Sequence, residues 1–315
     1  ASSHIRVGTF QYFYAREDHD ALRLLVDHCL ERHYPERVGD GAKGLLEAVI
    51  ARQAALIAQW LHLGFIHGVM NTDNMTISGE TIDYGPCAFL DDYDPGKVFS
   101  SIDQFGRYAY GNQPNIGQWN LGQFAQTLLP LLDRDDEKAI EIAKKCLSAY
   151  PDVFGDLYEK GWRAKIGLTS PRAEDIALVQ ELLKSMASQR ADFTRVMRAL
   201  SGLATEPSTA DEAFLSEFGD RSQITMWLAS WRQRLALEDR DDEARRAAMK
   251  RVNPMIIARN HRVEEAITAA YAGDFGVFDR LVAALETPFA DRPSDDHFTR
   301  MPQPDEVVEA TFCGT

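Results

Sequence analysis

The chain has 315 residues, 45% of them hydrophobic and 26% charged, with a formal net charge of −14. That length can bury a core as one large domain or two modest ones, and no apolar run approaches a membrane span. The acid excess supplies no basic stripe for a nucleic-acid backbone, although a metal ion and a few arginines can still hold a nucleotide locally. Four cysteines, Cys29, Cys87, Cys146 and Cys313, show no metal-ligand spacing, and such sparse usage fits a reducing compartment. The chain opens without Met and without a signal-peptide pattern, and runs at once into strand-like sequence. The expectation is that a segment precedes it.

Residues 5–15, IRVGTFQYFYA, suit either a strand or a tight turn into a helix. DHDALRLLVDHCLERHY predicts a helix with Asp18 as N-cap and Pro35 as its stop. GLLEAVIARQAALIAQWLHLGF carries the clearest helical period: Leu45, Leu46, Val49, Ile50, Leu56, Ile57, Trp60 and Leu61, closed by Gly64. The loop HGVMNTDNM, residues 67–75, follows. MTISGETIDYG then predicts a short hairpin turning at Gly79-Glu80, with Asp83 ending its second strand. Residues 91–120 are rich in Gly, Pro, Asn, Asp and aromatics, as in a long functional loop. Helices are predicted at 119–132, 137–149 and 173–187, and in DFTRVMRALSG, ITMWLASWRQRLALE, EEAITAAYAG and FGVFDRLVAALE. Residues 205–220 read as an acidic surface loop, and the acidic run 133–137 as a solvated helix entry. Trp60, Trp119, Trp227, Trp231, Cys29 and Cys146 are expected in the core. The fold class is mainly α (α+β), with a small β-hairpin beside the loop.

HGVMNTDNM reads like the H-R-D-x-x-x-x-N catalytic loop of a protein kinase with one position changed. With His67 on the motif's His, Asn74 falls on its metal-binding Asn, but Val69 stands where the catalytic Asp belongs. The DYG at 83–85 resembles the kinase DFG, whose Asp binds Mg²⁺. Mg²⁺ takes hard oxygen ligands, few of them from protein, so the Asn74 amide oxygen and the Asp83 carboxylate suit it. Asp73 is then the candidate base for a hydroxyl proton, in place of Val69. His67 is expected to hold the loop by a hydrogen bond. Asx residues in loops commonly just cap turns. The ordered set of His67, Asn74 and DYG argues against that reading here.

Through SSHIRVGTFQ, GFIHGVMNTDNM, TIDYGPCAFLD, YAYGNQPNIGQWNL and NPMIIARNH, the sequence resembles the selenoprotein O family of protein-kinase-like enzymes over essentially its whole length. The resemblance implies a protein-kinase-like catalytic C-lobe, residues 1–133, with a helical C-terminal extension, 134–315. It implies Mg²⁺- or Mn²⁺-dependent transfer of AMP from ATP to protein Ser, Thr or Tyr hydroxyls, the nucleotide being flipped relative to ordinary kinases. Asp73 matches the family's catalytic base, Asn74 and Asp83 its metal ligands, and Arg6 an arginine that contacts the phosphates. By itself Arg6 reads as a surface arginine. The implied partners are ATP and hydroxyl-bearing protein substrates, with no nucleic acid and no membrane. The implied location is the bacterial cytoplasm, or the mitochondrion in a eukaryote. Only five residues precede Arg6. The ATP-covering small lobe and a second phosphate-contacting Arg therefore fall outside this chain, which alone is expected to be inactive. Cys313 lies third from the end, where selenium-containing members carry selenocysteine, and forms a candidate reversible redox pair with Cys87. Two other readings stay open: ordinary phosphotransfer to a protein or small molecule, and a non-catalytic binding or scaffold module.

Overall fold

The computed structural model describes residues 1–293 and 296–312. Helix α1 (Val7–Tyr14) starts almost at once, with extended Arg6 as its N-cap, so the strand alternative for 5–15 is confined to a single bridging residue. In α2 (His19–His33) the Asp18 carboxylate caps the first turn by accepting from the Ala21 N–H at 3.0 Å. Pro35 ends it and begins a 3₁₀ turn. Helix α3 (Gly41–Leu63) is apolar on most of its surface and ends on Gly64 at φ 73°, a left-handed conformation that costs glycine nothing. Helix α4 (Gln113–Leu132) begins six residues before Trp119, because Pro114 fits the first turn, where its missing N–H has no partner to lose. The remaining helices among the described residues are α5 (Asp136–Leu147), α6 (Tyr150–Lys165), α7 (Asp175–Gln189), α8 (Phe193–Leu200), α9 (Asp211–Leu215), α10 (Arg221–Leu235), α11 (Asp242–Val252), α12 (Asn260–Tyr271) and α13 (Gly276–Leu285). None of the helices is long and apolar enough to cross a membrane.

Three elements escape sequence reasoning. Helix α6 contains Pro151, Gly155 and Gly161, which mask an i, i+4 ladder of Tyr150, Phe154, Tyr158 and Trp162. Successive rings of that ladder lie 6.0, 5.7 and 6.1 Å apart. Helix α9 occupies the stretch expected as an acidic loop; Phe214 and Phe218 are buried there, with Phe214 against Trp227. Helix α11 is strongly charged, yet Asp241 caps it and Arg245 and Met249 anchor it. Trp60, Trp227 and Trp231 are core residues as expected, as are Cys29 and Cys146. Trp119 is not: it falls off the buried stripe of α4, is 44% exposed, and carries the Arg107 guanidinium 4.7 Å from its ring.

The β structure forms in a different place from the predicted hairpin. Residues 75–85 cannot pair with one another because their ladder groups are already used: Val7 N–H donates to the Met75 carbonyl and Ile77 N–H to the Ile5 carbonyl. The Thr76 hydroxyl closes the turn instead, donating to the Glu80 carbonyl (2.7 Å) and accepting from the Glu80 N–H (3.0 Å). The antiparallel pair is β1 (Phe65–Ile66) with β2 (Ala88–Phe89), Phe65 opposite Phe89 and Ile66 opposite Ala88. Residues 67–87 are the long connection between them.

Two buried clusters form the interior. One draws on α1 to α5 and extends to Tyr150; the other gathers α7, α8 and α10 around Trp162 and Trp231 and includes Ile66 and Ala88 of the strands. Lys165 lies in the second cluster region, 2% exposed, its ammonium 5.8 Å from the Trp162 ring and 5.6 Å from that of Phe193. Burial pulls its pKa from 10.5 down to about 7. The fold therefore holds a buried cation below that pH, only partly offset by the rings. Between pH 7 and 10.5 the unfolded chain keeps a proton that the folded chain has shed, so this residue makes stability rise with pH there. Neighbouring His62, pulled by burial to about 4, is neutral throughout that window. Lys165→Met is expected to raise Tm at pH 7 by roughly 5 °C or more, with the gain shrinking toward pH 10. Thermal melts across pH check this; a gain that does not change with pH contradicts it.

Candidate active site

His67 anchors the site loop from below. It is fully buried, its N–H donates to Gln113 Oε1 at 3.0 Å, and its Nε2 lies 2.9 Å from the Ile82 carbonyl. Nδ1 is placed to accept from the Val69 N–H at 3.4 Å, which assigns the neutral Nε2–H tautomer. Burial lowers the His67 pKa, opposed by the Ile82 carbonyl and the Asp83 charge. A neutral ring bonded at both nitrogens is a brace rather than a proton carrier. Gly68 lets the loop pass close: at φ 84°, a Cβ here would lie 2.7 Å from the Pro86 carbonyl oxygen.

Further polar groups hold the loop's backbone. Asn120, fully buried on α4, donates to the Met70 carbonyl at 2.8 Å, and Gln113 donates to the Phe65 carbonyl at 2.9 Å. The Tyr108 hydroxyl donates to Asn71 Oδ1 at 2.7 Å. The start of α1 lies along residues 72–77: Gly8 N–H donates to the Thr72 carbonyl at 2.9 Å, and Arg6 bridges Thr76. A methyl group on Gly8 would sit 3.5 Å from the Asp73 Cα. This lays the backbone at Arg6 alongside that of Asp73 and Asn74. The segment leading to Asp83 is tied to the same loop through the His67–Ile82 bond, and to α3 by the Trp60 indole N–H donating to Thr81 Oγ1 at 2.9 Å.

The four side chains differ in state. Asn74 is buried; its Nδ2 donates to the Val69 carbonyl at 2.9 Å, while its Oδ1 is buried with no partner among the described residues. An orphaned amide oxygen costs on the order of 1–3 kcal/mol and calls for a reason. Asp83, by contrast, is exposed. Asp83 has φ 57°, a left-handed conformation uncommon outside glycine and found at functional sites. Asp73 is exposed and Arg6 half-exposed, and neither makes an ion pair among the described residues. The Asn74 amide oxygen and the Asp83 carboxylate are hard donors without partners among the described residues, the kind of set that can hold Mg²⁺ or Mn²⁺. No group of three or more His, Cys, Asp or Glu among the described residues could hold a metal, so an ion here needs phosphate oxygens and water to complete its shell.

Of the two cysteines expected as a redox pair, only Cys87 is among the described residues. Cys87 is half-buried, and burial raises its thiol to about 11, which disfavours the thiolate. Cys313 lies outside the described residues. The Thr311 hydroxyl donates to the Pro86 carbonyl at 2.5 Å, next to Cys87 in the chain.

Sequence reasoning missed Gln113, Asn120 and Tyr108. The first two carried a signal: polar residues seven apart on the apolar stripe of one helix, hence buried and bonded.

The profile of the family described as protein adenylyltransferase SelO matches residues 1–286. The chain belongs to the SelO family. Among curated relatives, the protein nucleotidyltransferase YdiU of Rhizobium rhizogenes (strain K84 / ATCC BAA-868) is 53% identical over 319 residues, covering 100% of this chain and 63% of the relative. The YdiU of Rhizobium meliloti (strain 1021) is 53% identical over 318 residues, covering 100% of this chain and 65% of the relative. This SelO chain thus spans a little under two thirds of the length of such relatives.

Proposed function

We propose that the chain supplies the metal-binding and proton-accepting part of a protein adenylyltransferase site on a protein-kinase-like catalytic lobe. The observation that carries this reading is the buried Asn74 Oδ1, left without a partner among the described residues, as is the neighbouring Asp73 carboxylate, in a loop braced by the same His67 that holds Ile82 beside Asp83. Membership of the SelO family and the name shared by its relatives support the choice of reaction.

In this reading Asn74 and Asp83 hold Mg²⁺ or Mn²⁺ with ATP. The ion would neutralise charge on the phosphate oxygens as it develops. Arg6 binds phosphate through its planar fork of N–H donors, which is why an unpaired arginine there is useful. Asp73 accepts the proton of a Ser, Thr or Tyr hydroxyl on a protein substrate. The hydroxyl oxygen forms a bond to the α-phosphorus, the bond from that phosphorus to the bridging oxygen breaks, and pyrophosphate leaves. His67, Gln113 and Asn120 keep the loop from moving during the transfer, so the orientation is set before reaction.

Phosphotransfer is the competing reading; Asp73 could accept the hydroxyl proton in either reaction, and it is the family of the chain and the name of its relatives that favour adenylyl transfer. The test is mass analysis of the full-length protein and a substrate protein after incubation with Mg-ATP. An adenylyl increment with pyrophosphate released is the expected result. A phosphoryl increment, or none, overturns the proposal.

A further inference from the structure

The motif NPMIIARNH lies far from the site in sequence, yet it ends on the strand that follows Asp83. Asn260 Nδ2 donates to the Phe89 carbonyl at 2.9 Å, and its Oδ1 accepts from the Phe89 N–H at 3.2 Å. Phe89 faces Phe65 in the two-strand sheet, so the Asn260 amide takes both backbone groups on the free edge of β2, as a third strand would. Arg259, 1% exposed, pairs with Asp91 Oδ1 at 2.6 Å and with Asp192 Oδ2 at 2.9 Å. The Phe193 N–H donates to the Asp91 carbonyl at 2.8 Å, and the Tyr93 N–H to the Ala191 carbonyl at 2.9 Å. Two consecutive residues of the C-terminal region therefore grip residues 89–91 from outside.

Upstream, Ile82 is held by His67, and Pro86 is packed on Gly68. Residues 83–85 span the short gap between these held points, with left-handed Asp83 first in the span. Only Cys87 separates Pro86 from β2, so a shift of β2 drags Pro86 along Gly68, and the three residues left before Ile82 cannot take it up without moving Asp83. We propose that Asn260 and Arg259 are positioning residues for the Asp83 carboxylate, so that the C-terminal helical region sets the geometry of the metal ligand. This rests on the metal role of Asp83 proposed above. Neither residue needs to touch substrate or metal.

The test is made on the full-length protein with Mn²⁺ and a non-hydrolysable ATP analogue as probe, the protein-bound ion being followed by electron paramagnetic resonance against the same mixture without protein. Asn260→Ala is expected to weaken Mn²⁺ binding about tenfold, the effect of roughly 1.4 kcal/mol. Amide hydrogen exchange is expected to quicken at residues 83–89 and stay unchanged in α3 and α4. If Asn260→Ala fails to fold, Asn260→Asp serves instead: it keeps the acceptor for the Phe89 N–H, loses the donor, and is nearly the same size. Faster exchange at 83–89 with Mn²⁺ affinity unchanged overturns the positioning role, as does no change in either. Asp83→Ala separates the two levels. If it loses Mn²⁺ while the Asn260 variant keeps it, only the positioning role fails. If it binds Mn²⁺ as the unaltered protein does, the metal assignment fails, and the positioning role with it.

Discussion

Asp83→Ala is expected to abolish metal-dependent adenylyl transfer in the full-length protein while leaving its fold intact. The carboxylate is exposed and makes no hydrogen bond or ion pair among the described residues, so its removal breaks no packing. The backbone at φ 57° is the only structural element at risk, since alanine tolerates the left-handed region less well than aspartate. Asp83→Gly controls for this. Glycine relieves the strain and is expected to match or exceed the unaltered protein in thermal stability, yet to be equally inactive. The Asn74 amide oxygen alone is a neutral, monodentate donor and cannot replace a carboxylate for a hard dication. Transfer that persists in either variant at ordinary Mg²⁺ concentration removes Asp83 from the metal site.

Asp73→Ala is expected to slow transfer by about 10²–10⁴-fold while changing nucleotide affinity little, because a general base acts in the transition state. Its side chain is exposed and unpaired among the described residues, so stability should stay within about 0.5 kcal/mol of the unaltered protein. A matched loss of ATP affinity would instead give Asp73 a binding role. Val69→Asp in the same background is expected not to restore transfer. The Val69 carbonyl holds the Asn74 amide and its N–H faces His67 Nδ1, so its position is set by the brace and not by the substrate. Kinase-like phosphotransfer by the double variant would show the proposed geometry to be wrong. Single-turnover kinetics and calorimetry with a non-hydrolysable ATP analogue separate the outcomes.

Several parts of this molecule could be read directly from short stretches. Asp18 announces the start of α2 and Gly64 the end of α3, since a cap is a contact between residues three or four apart. The buried stripe of α3 follows from its 3.6-residue period. His67, Asn74 and DYG stand at motif spacing, so the loop could be singled out before its shape was known. Where neighbours mislead, the outcome was set at longer range. Met75 and Ile77 look like part of a hairpin, but Val7 and Ile5 take their backbone groups first. Residues 205–220 look solvated, but Phe214 finds Trp227.

The sequence by itself determined the helical class, the family resemblance and the identity of the candidate site residues, because each depends on residue type and on spacing along one segment. Only the tertiary structure decided that the Asn74 amide spends its nitrogen on Val69 and keeps a bare, buried oxygen. Only it placed Gln113 and Asn120 beneath the loop and brought Asn260 to Phe89, 171 residues away. A hydrogen bond across such a separation leaves no period and no local pattern behind. It arises when packed helices carry two polar groups to within about 3 Å in a place where neither can turn to water.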